Sequence, residues 1–349
     1  MGERGIGKTS LLRKLQEIAH DEGCIVARVD LYPGIRDIEH LLLHIHEELR
    51  KSSLAYYGPL GKGFEKTRRF LESYSVTIPV VGGGIEKSSE RTLETGFKDR
   101  LLEIWSKVKE KASAVVIMVD EAETLTHIQG ALEYLRNTFS RLGEDGALYC
   151  LVISGKSGLF QAVSEVFSPL ERFFQPITLM PFTPREVQEL FGKVSAETGI
   201  SFEDGVKRVI ISESEGQPYV VQVYGYCLFE QAAKDQVNSV SARTLEIAGA
   251  RIYEVLETQL FARRLEEGVG RSKHKLKIVR KLAKSRKDAY SFTEIEKITG
   301  MTKKQGLGVY LTQLVEAGCL RKNAAGAYSF FMRIFKKFVL SKATSIDVD

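Results

Sequence analysis

The stretch Gly2-Glu3-Arg4-Gly5-Ile6-Gly7-Lys8-Thr9 fits the pattern G-x-x-x-x-G-K-[ST] at every fixed position. Glycines let a backbone fold around phosphate groups so that successive amide N–H groups point at them, while Lys8 adds a point charge and the Thr9 hydroxyl can ligate Mg²⁺. Apolar residues at helical spacing follow from Ser10 to Ile18. The sequence therefore predicts a phosphate-binding loop (residues 2–9, the P-loop) that leads into a helix, whose N-terminal end favours anions. A chance glycine-rich loop is the alternative.

A second motif is the apolar run from Ala114 to Val119, which ends in Asp120-Glu121. A run of this kind is typical of a strand buried on both faces of a parallel sheet. A carboxylate at the end of such a strand, here Asp120, can complete the shell of Mg²⁺. Glu121 can orient or deprotonate an attacking water, which is the work of a general base. Alone the two acids would indicate a helix start, but after a P-loop they are typical of the Walker B partner of a Walker A motif.

Further strands are predicted at 24–30, 147–153 and 177–180, with helices between them. This alternation indicates an α/β fold, a P-loop NTPase with a parallel sheet and helices on both faces. Residues 75–84 alternate and then break at three glycines, which predicts a hairpin or a loop insertion. Only Met1 precedes the P-loop, so the strand from which a P-loop emerges is expected to be missing upstream of this sequence.

Two polar residues near strand ends are catalytic candidates beside Glu121. Ser154 follows the strand 147–153 and is placed to lie between the Mg²⁺ carboxylate and the γ-phosphate. Arg172, in Ser168-Pro169-Leu170-Glu171-Arg172-Phe173, comes just before the strand at 177–180. The alternatives are an ordinary turn at Ser154 and an ordinary surface arginine at position 172.

The charge is distributed unevenly along the 349 residues. Residues 271–342 hold 18 Lys and Arg against four acids, a net +14, whereas the whole chain carries +5 and residues 1–270 carry −7. A basic segment of this size indicates a polyanionic partner, although charge runs are also ordinary solvated faces. The predicted domains are an ATPase core at 1–182, a helical lid at 183–265, a basic module at 266–342 and a tail at 343–349.

Within the basic module the pattern is helix, helix, turn, helix and hairpin, which is typical of a winged helix-turn-helix. A capping box is predicted at 293–296, a third helix capped by Thr302, and a linker at 266–270. In such a fold the third helix enters the major groove of DNA by its N-terminal end, here Lys303, Lys304 and Gln305. Arg321 and Lys322, on the wing, would touch phosphates. A winged helix that docks a protein is the alternative, because Gly306 and Gly308 weaken the helix.

The order of these parts resembles the AAA+/STAND branch of P-loop ATPases, and within it the archaeal ATPases related to origin-recognition initiators. The resemblance covers about residues 2–235. It implies ATP and Mg²⁺ as cofactors, a sensor role for Ser154, an arginine finger at Arg172 and a nucleotide-dependent homo-oligomer. Gly216-Gln217-Pro218 matches the G-x-P of the STAND branch. The resemblance thus implies nucleotide contacts from Gly2, Gly5, Ile6, Gly7, Lys8, Thr9, Ser10, Asp120, Gly216 and Pro218, with Thr9 and Asp120 serving Mg²⁺.

Other classes are disfavoured by composition. No apolar run is long enough for a membrane span, and the first residues show no apolar segment of a secretory signal. Four cysteines lie far apart, which argues against a zinc ribbon and predicts a reducing, cytoplasmic location. His40, His44 and His46 have metal-like spacing but no further ligand, which predicts exposed helix histidines.

The leading hypothesis is an ATP-dependent molecular switch that hydrolyses ATP, slowly or on stimulation by a partner, and binds double-stranded DNA through its winged helix. Its rival is an ATP-gated signalling or defence switch whose basic module docks a protein. A protein that binds ATP but barely hydrolyses it is a third hypothesis.

Overall fold

The computed structural model describes residues 1–3, 5–57, 90–156, 159 and 170–346. The chain divides into two compact units, Met1–Met180 and Pro181–Asp349. The hairpin predicted at 75–84 and the Ser168-Pro169 part of the arginine motif lie outside the described residues.

The first unit is built on a parallel sheet of three described strands in the order β1-β2-β3. β1 pairs with β2 from Ile25↔Val115 to Asp30↔Asp120, and β2 pairs with β3 from Val115↔Tyr149 onward. All six residues of β2 are buried, because this strand lies between the other two and has helices packed on the sheet. The elements are α1 (Lys8–Asp21), β1 (Ile25–Asp30), α2 (Ile38–Tyr57), α3 (Glu90–Val108), β2 (Val115–Asp120), a 3₁₀ turn (Ala122–His127), α4 (Ala131–Glu144), β3 (Tyr149–Ile153) and α5 (Leu170–Phe173).

Three of the four predicted strands are present, and the fourth, at 177–180, is not. Among the described residues, the backbone of this segment bonds to Met1, whose terminal amino group donates to Ile177 O at 2.6 Å and whose carbonyl accepts from Leu179 N at 2.7 Å. One bridge of parallel type does not make a strand, because a ladder needs a neighbour along its length. Ile177 and Met180 are accordingly 65% and 72% exposed.

A cavity of about 470 Å³ lies in the first unit beside β3. Its wall includes Leu151 and Ile153 of β3, Leu12 and Leu15 of α1, and Phe139 of α4. Among the described strands β3 pairs only with β2, so its other edge faces this cavity. Within the described strands, the edge of β3 away from β2 therefore has no strand partner.

The second unit is mostly helical and has one continuous apolar core, from Val187 in the predicted lid to Val339 in the basic module. Its first helix begins with a capping box between Thr183 and Glu186 and has Pro184 at the first helical position. The elements up to the module are α6 (Pro184–Thr198), β4 (Ser201–Phe202), α7 (Asp204–Ser214), α8 (Pro218–Lys234), β5 (Ser239–Val240), α9 (Ala242–Leu256), a π turn (Glu257–Phe261) and α10 (Ala262–Val269).

The linker predicted at 266–270 is helical up to Val269 and stops at Gly270. Val269 is 6% exposed, and Gly268 lies against Cys319, so packing holds this segment in a helix. The remaining elements are α11 (Lys273–Lys284), β6 (Ala289–Tyr290), α12 (Phe292–Thr299), a 3₁₀ turn (Lys303–Gln305), α13 (Leu307–Glu316), β7 (Leu320–Lys322), β8 (Tyr328–Phe330) and α14 (Arg333–Ile346). The three strands form an antiparallel sheet in the order β6-β8-β7.

Two helix starts in the module differ from the prediction. The capping box of α12 joins Ser291 to Glu294 rather than Thr293 to Glu296. Thr302 caps the 3₁₀ turn, and α13 begins only after Gly306, whose φ of 80° is left-handed. The third helix is therefore shorter at its N-terminal end than predicted.

Candidate functional site

The P-loop lies at the carboxyl end of the sheet and leads into α1, which begins at Lys8. Gly5 and Gly7 have φ values of 78° and 92°, a left-handed backbone that glycine adopts without strain. Gly2 has no room for a side chain, because a Cβ there would lie 2.6 Å from Cγ2 of the buried Ile6. The Lys8 ammonium donates to the carbonyls of Gly2 and Glu3 at 3.0 and 3.2 Å. The glycines at these positions thus serve the shape of the loop.

Thr9 and Asp120 meet across the site although 111 positions separate them in the chain. The Thr9 hydroxyl donates to Asp120 Oδ2 at 2.8 Å, and the Glu121 amide donates to Asp120 Oδ1 at 3.0 Å. Asp120 is only 2% exposed, so these bonds compensate a buried carboxylate. The two residues predicted to serve Mg²⁺, Thr9 and Asp120, therefore lie within hydrogen-bond distance at the end of β2.

Arg28 is a neighbour of this carboxylate that sequence reasoning missed. Its guanidinium lies 3.4 Å from Asp120 Oδ2 and 2.9 Å from Asp30 Oδ1. The β1–β2 register brings Asp30 opposite Asp120, and strand alternation places Arg28 on the same face as Asp30. Alternation alone could have indicated this face, but the register needed the structure.

Glu121 follows Asp120 in the left-handed region, with φ 53° and ψ 42°. This backbone is uncommon for a residue other than glycine, and such strain is found where surrounding structure imposes it. The side chain of Glu121 is exposed. The carboxylate of Glu121, next to Asp120 in the chain, is thus accessible to water.

Ser154 directly follows β3, as predicted, and is 7% exposed. Its backbone is fixed to the Walker B strand, because Ser154 N donates to Val119 O at 2.8 Å and Ser154 O accepts from Ala122 N at 3.0 Å. Among the described residues its Oγ has no hydrogen-bond partner. A buried hydroxyl of this kind has a bond left to offer to a ligand.

The other predicted nucleotide contacts are on other elements. Arg172, on the short helix α5, is exposed and forms no ion pair with a described residue. Gly216 and Pro218 belong to the second unit. Gly216 has φ 74°, and a Cβ there would lie 1.9 Å from Phe182 O, so the close approach of two backbones requires glycine. Pro218 is the first residue of α8.

Taken together, the residues of the first unit fit a nucleoside triphosphate with Mg²⁺. The glycines with left-handed backbone shape the loop, the Lys8 ammonium supplies a positive charge, and Ser10 lies in the first turn of α1. Thr9 and Asp120 offer hard oxygen donors, which Mg²⁺ prefers. The unpartnered Ser154 Oγ is the observation that favours a polar ligand at this place.

In the basic module, the predicted DNA contacts occupy three environments. Lys303 and Lys304 are exposed on the 3₁₀ turn before α13. The Gln305 side chain caps that turn, since its Oε1 accepts from Thr302 N at 3.0 Å. Arg321 is half-buried on β7, and the Lys322 ammonium lies 5.4 Å from the centre of the Tyr328 ring. Of the four cations among the five, Lys303, Lys304 and Lys322 are exposed and Arg321 is half-buried.

The histidines of α2 do not form a metal centre, and no group of three His, Cys, Asp or Glu that could hold a metal occurs in the described part of the chain. The prediction that all three histidines are exposed holds only for His40, because His44 is half-buried and His46 is 1% exposed. Burial, and after it the positive charge of the nearby Arg100, lower the pKa of His46 to about 4.

Comparison with known proteins agrees with this geometry. Residues 1–163 match the family model described as an AAA domain. The solved structure of the Aeropyrum pernix ORC2 protein, in ADPNP and ADP complexes, is similar over 99% of this chain and 85% of that chain, with a TM-score of 0.62 and 14% identity. The Walker-type ATPase paby2304 of Pyrococcus abyssi is similar over 97% of this chain and 89% of that chain, with a TM-score of 0.60 and 16% identity. At these identities the likeness shows a shared fold.

Among curated proteins, none matches this chain in sequence. Within the described residues, no helix has the length and apolar character to cross a bilayer.

Proposed function

We propose that this chain is an ATP-binding and ATP-hydrolysing switch of the AAA+/STAND type. We further propose that its basic module is a winged helix-turn-helix that binds double-stranded DNA. The observation that carries the nucleotide part is the 2.8 Å bond between Thr9 and Asp120 beside an accessible Glu121. A P-loop residue and a strand-end carboxylate, far apart in the chain, meet where such a switch needs them.

The roles of the residues follow from their positions. The P-loop amides and Lys8 would hold the β- and γ-phosphates, and Thr9 with Asp120 would hold Mg²⁺. When bound, the metal neutralises charge on the phosphates. Glu121 would accept the proton of an attacking water, and Ser154 would donate its unused hydroxyl to a phosphate oxygen. Arg172, exposed on α5, would stabilise charge on the γ-phosphate.

The DNA part rests on the charge of the module, which is +14 between Arg271 and Lys342, and on its order of three helices and a hairpin. A specific observation favours the rival, in which the module docks a protein. The exposed positions of α13 include Val309, which is 60% exposed, and the acidic Glu316. An exposed apolar side chain beside an acid is unfavourable for binding a polyanion.

One experiment tests both parts. Phosphate release by the purified chain is measured with ATP and Mg²⁺, with and without duplex DNA, beside an Asp120→Asn variant. We expect Mg²⁺-dependent release that the variant loses, and a higher rate with DNA. Release by Asp120→Asn at the wild-type rate would contradict the assigned metal site. A chain that releases phosphate at the same rate with and without DNA would favour protein docking.

A further inference from the structure

Helix α11 of the basic module has one strongly basic face and no acidic residue in its sequence KHKLKIVRKLAK. Four cations recur at helical spacing, at positions i, i+4, i+7 and i+8, so they share one face of the helix. Three of them are exposed and Arg280 is half-buried. The opposite face is core, since Ile278, Val279, Leu282 and Ala283 are at most 2% exposed. The α11 basic stripe consists of Lys273, Lys277, Arg280 and Lys281.

Three acids of the module contact residues outside the stripe. Glu294 pairs with Lys287, and Asp288 lies 3.8 Å from Arg333 and 3.6 Å from Lys336. Glu296 accepts from the Lys303 amide at 3.0 Å. In the described part of the chain, no carboxylate forms an ion pair with any member of the stripe, so its positive charge is not neutralised.

Helix stability does not account for this arrangement. Like charges one turn apart destabilise a helix, and Lys273 and Lys275 stand in the first turn, at the positive end of the helix dipole. α11 forms because its apolar face is buried and Ser272 caps it, accepting from the Lys275 amide at 3.3 Å. A mixed surface would serve folding better than the all-basic one that is present.

The helix expected to read DNA lacks such charge. The exposed positions of α13 are Val309, Thr312, Gln313 and Glu316, none of which is a cation. α11 is next to this helix, because the rings of His274 and Tyr310 stack with centres 5.3 Å apart and planes 7° apart. The exposed positions of α13 therefore offer a polyanion no cation, whereas α11 and the turn at Lys303 and Lys304 do.

We propose that the α11 basic stripe binds the phosphate backbone of duplex DNA. This inference rests on the proposed function and names the surface that would perform it. From Lys273 to Lys281 the stripe is about 12 Å long at 1.5 Å per residue. That length matches three or four phosphates of one strand, spaced about 3.4 Å along the DNA axis. A membrane surface fits less well, because a membrane-bound helix needs apolar residues to insert and those of α11 are buried in the core.

The test measures binding of the full chain to a labelled, mixed-sequence DNA duplex by fluorescence anisotropy between 50 and 300 mM salt. The stripe variant carries Lys277→Gln, Arg280→Gln and Lys281→Gln. The matched control removes three exposed cations from the same unit outside the module, with Lys193→Gln, Arg208→Gln and Arg243→Gln. Melting curves verify that each variant folds.

We expect the stripe variant to lose up to about 0.9 per lost contact from the log–log salt slope, or about 2.7 for three contacts. At 100 mM salt its Kd should rise by up to roughly 500-fold on that dependence, relative to 1 M salt, while the control keeps the wild-type slope. A stripe variant with the wild-type slope would overturn the inference but leave DNA binding intact. A wild-type chain that binds no DNA would instead overturn the proposed function. Tighter binding to duplex RNA would show that DNA is the wrong partner for the stripe.

Discussion

The hydroxyl of Thr9 donates to Oδ2 of Asp120 across 2.8 Å, joining the first helix of the chain to the end of a buried strand. Arg28 approaches the same oxygen to 3.4 Å. Asp120 Oδ2 thus has a hydroxyl and a cation beside it, both of which compensate its burial. Thr9 and Asp120 are the residues that would bind a metal ion, which gives the first prediction.

Replacing Thr9 by valine keeps the shape of the side chain but removes the hydroxyl. We expect Thr9→Val to lose most of the Mg²⁺-dependent gain in ADP affinity, roughly 10-fold or more, because a bond to a charged group contributes about 1.5–3 kcal/mol. Thr9→Ser retains the hydroxyl and should retain the gain. Calorimetric titration with Mg²⁺ and with EDTA measures it. An unchanged Mg²⁺ effect in Thr9→Val would show that Thr9 is no metal ligand.

Variants at Lys8 and Glu121 should distinguish nucleotide binding from ATP hydrolysis. Lys8→Ala removes the cation for the phosphates, so nucleotide affinity should fall roughly 10²-fold, given about 1.5–3 kcal/mol for a charged bond. Glu121→Gln keeps the phosphate and metal contacts, so it should bind ATP normally yet release phosphate about 10²–10⁴-fold more slowly. The control is Lys14→Ala, an exposed lysine on the same helix that pairs with Glu17. Turnover by Glu121→Gln at the wild-type rate would show that Glu121 is not the base.

His46 should make stability depend on pH. Burial lowers its pKa to about 4 in the folded chain, whereas an unfolded histidine titrates near 6.5. The unfolded state therefore takes up the proton first, and stability falls as pH drops from about 6.5 towards 4. At pH 5 the loss is about 2 kcal/mol, at roughly 1.4 kcal/mol per pKa unit.

Denaturant unfolding at pH 7 and pH 5 measures this effect. His46→Leu should lose about 2 kcal/mol less than the wild type over this range, on the same pKa difference. His40→Leu, at an exposed position on the same helix, should follow the wild type. Equal pH dependence in all three proteins would contradict the assigned pKa.

Much of the first site could be predicted because its signals are local. The glycines of the P-loop and the acids after β2 each stand within a few residues of one another, and the chemistry dictates their spacing. Arg28 could not be found in this way, because its contact with Asp120 depends on the register of two strands. Local signals also compete. Ser291-x-x-Glu294 and Thr293-x-x-Glu296 both fit a capping box, and the pattern alone cannot choose between them.

The second unit shows a different limit. Residues 266–270 look like a linker by composition, yet 266–269 continue α10, because Val269 enters the apolar core that runs from the lid into the module. Packing between distant segments decided this helix. The spacing of the basic residues of α11 can be read from the sequence. Which lysines of the module have acidic partners, as Lys287 and Lys336 do, depends on the structure.

The open edge of β3 gives a prediction about stability. Met1 already bonds to Ile177 and Leu179 on one side, and Gly2 N donates to Gly155 O at 3.2 Å on the other. Five extended β-branched residues placed before Met1 would enter the cavity between them and add several backbone bonds, at about 1 kcal/mol each. A rise in Tm of roughly 5 °C or more follows, at about 2–4 °C per kcal/mol.

A Gly-Ser extension of the same length is the control for this change, because it has low strand propensity and no side chains to fill the cavity. It should leave the Tm unchanged. ATP affinity should rise with the β-branched extension only, since the strand would fix the start of the P-loop. Equal melting temperatures for the two extensions would mean that β3 does not accept a strand at this edge.

The last prediction concerns Arg172, which is exposed on α5 and forms no ion pair with a described residue. An arginine that stabilises charge on the γ-phosphate can raise turnover by about 10³–10⁵ when a second molecule supplies it. If Arg172 serves the nucleotide of a neighbouring copy, hydrolysis requires two chains. Specific activity should then rise with protein concentration, and duplex DNA that gathers several copies should raise it further.

Mixing two inactive variants tests this sharing directly. Arg172→Ala keeps an intact P-loop, and Lys8→Ala keeps an intact arginine, so a mixed pair contains one complete site. We expect the mixture to recover part of the wild-type phosphate release, up to about a quarter at equal concentrations if copies pair at random. Arg185→Ala, another exposed arginine, already paired with Glu189, should stay active alone. Activity independent of concentration, with no recovery in the mixture, would place Arg172 in the site of its own chain or outside any site.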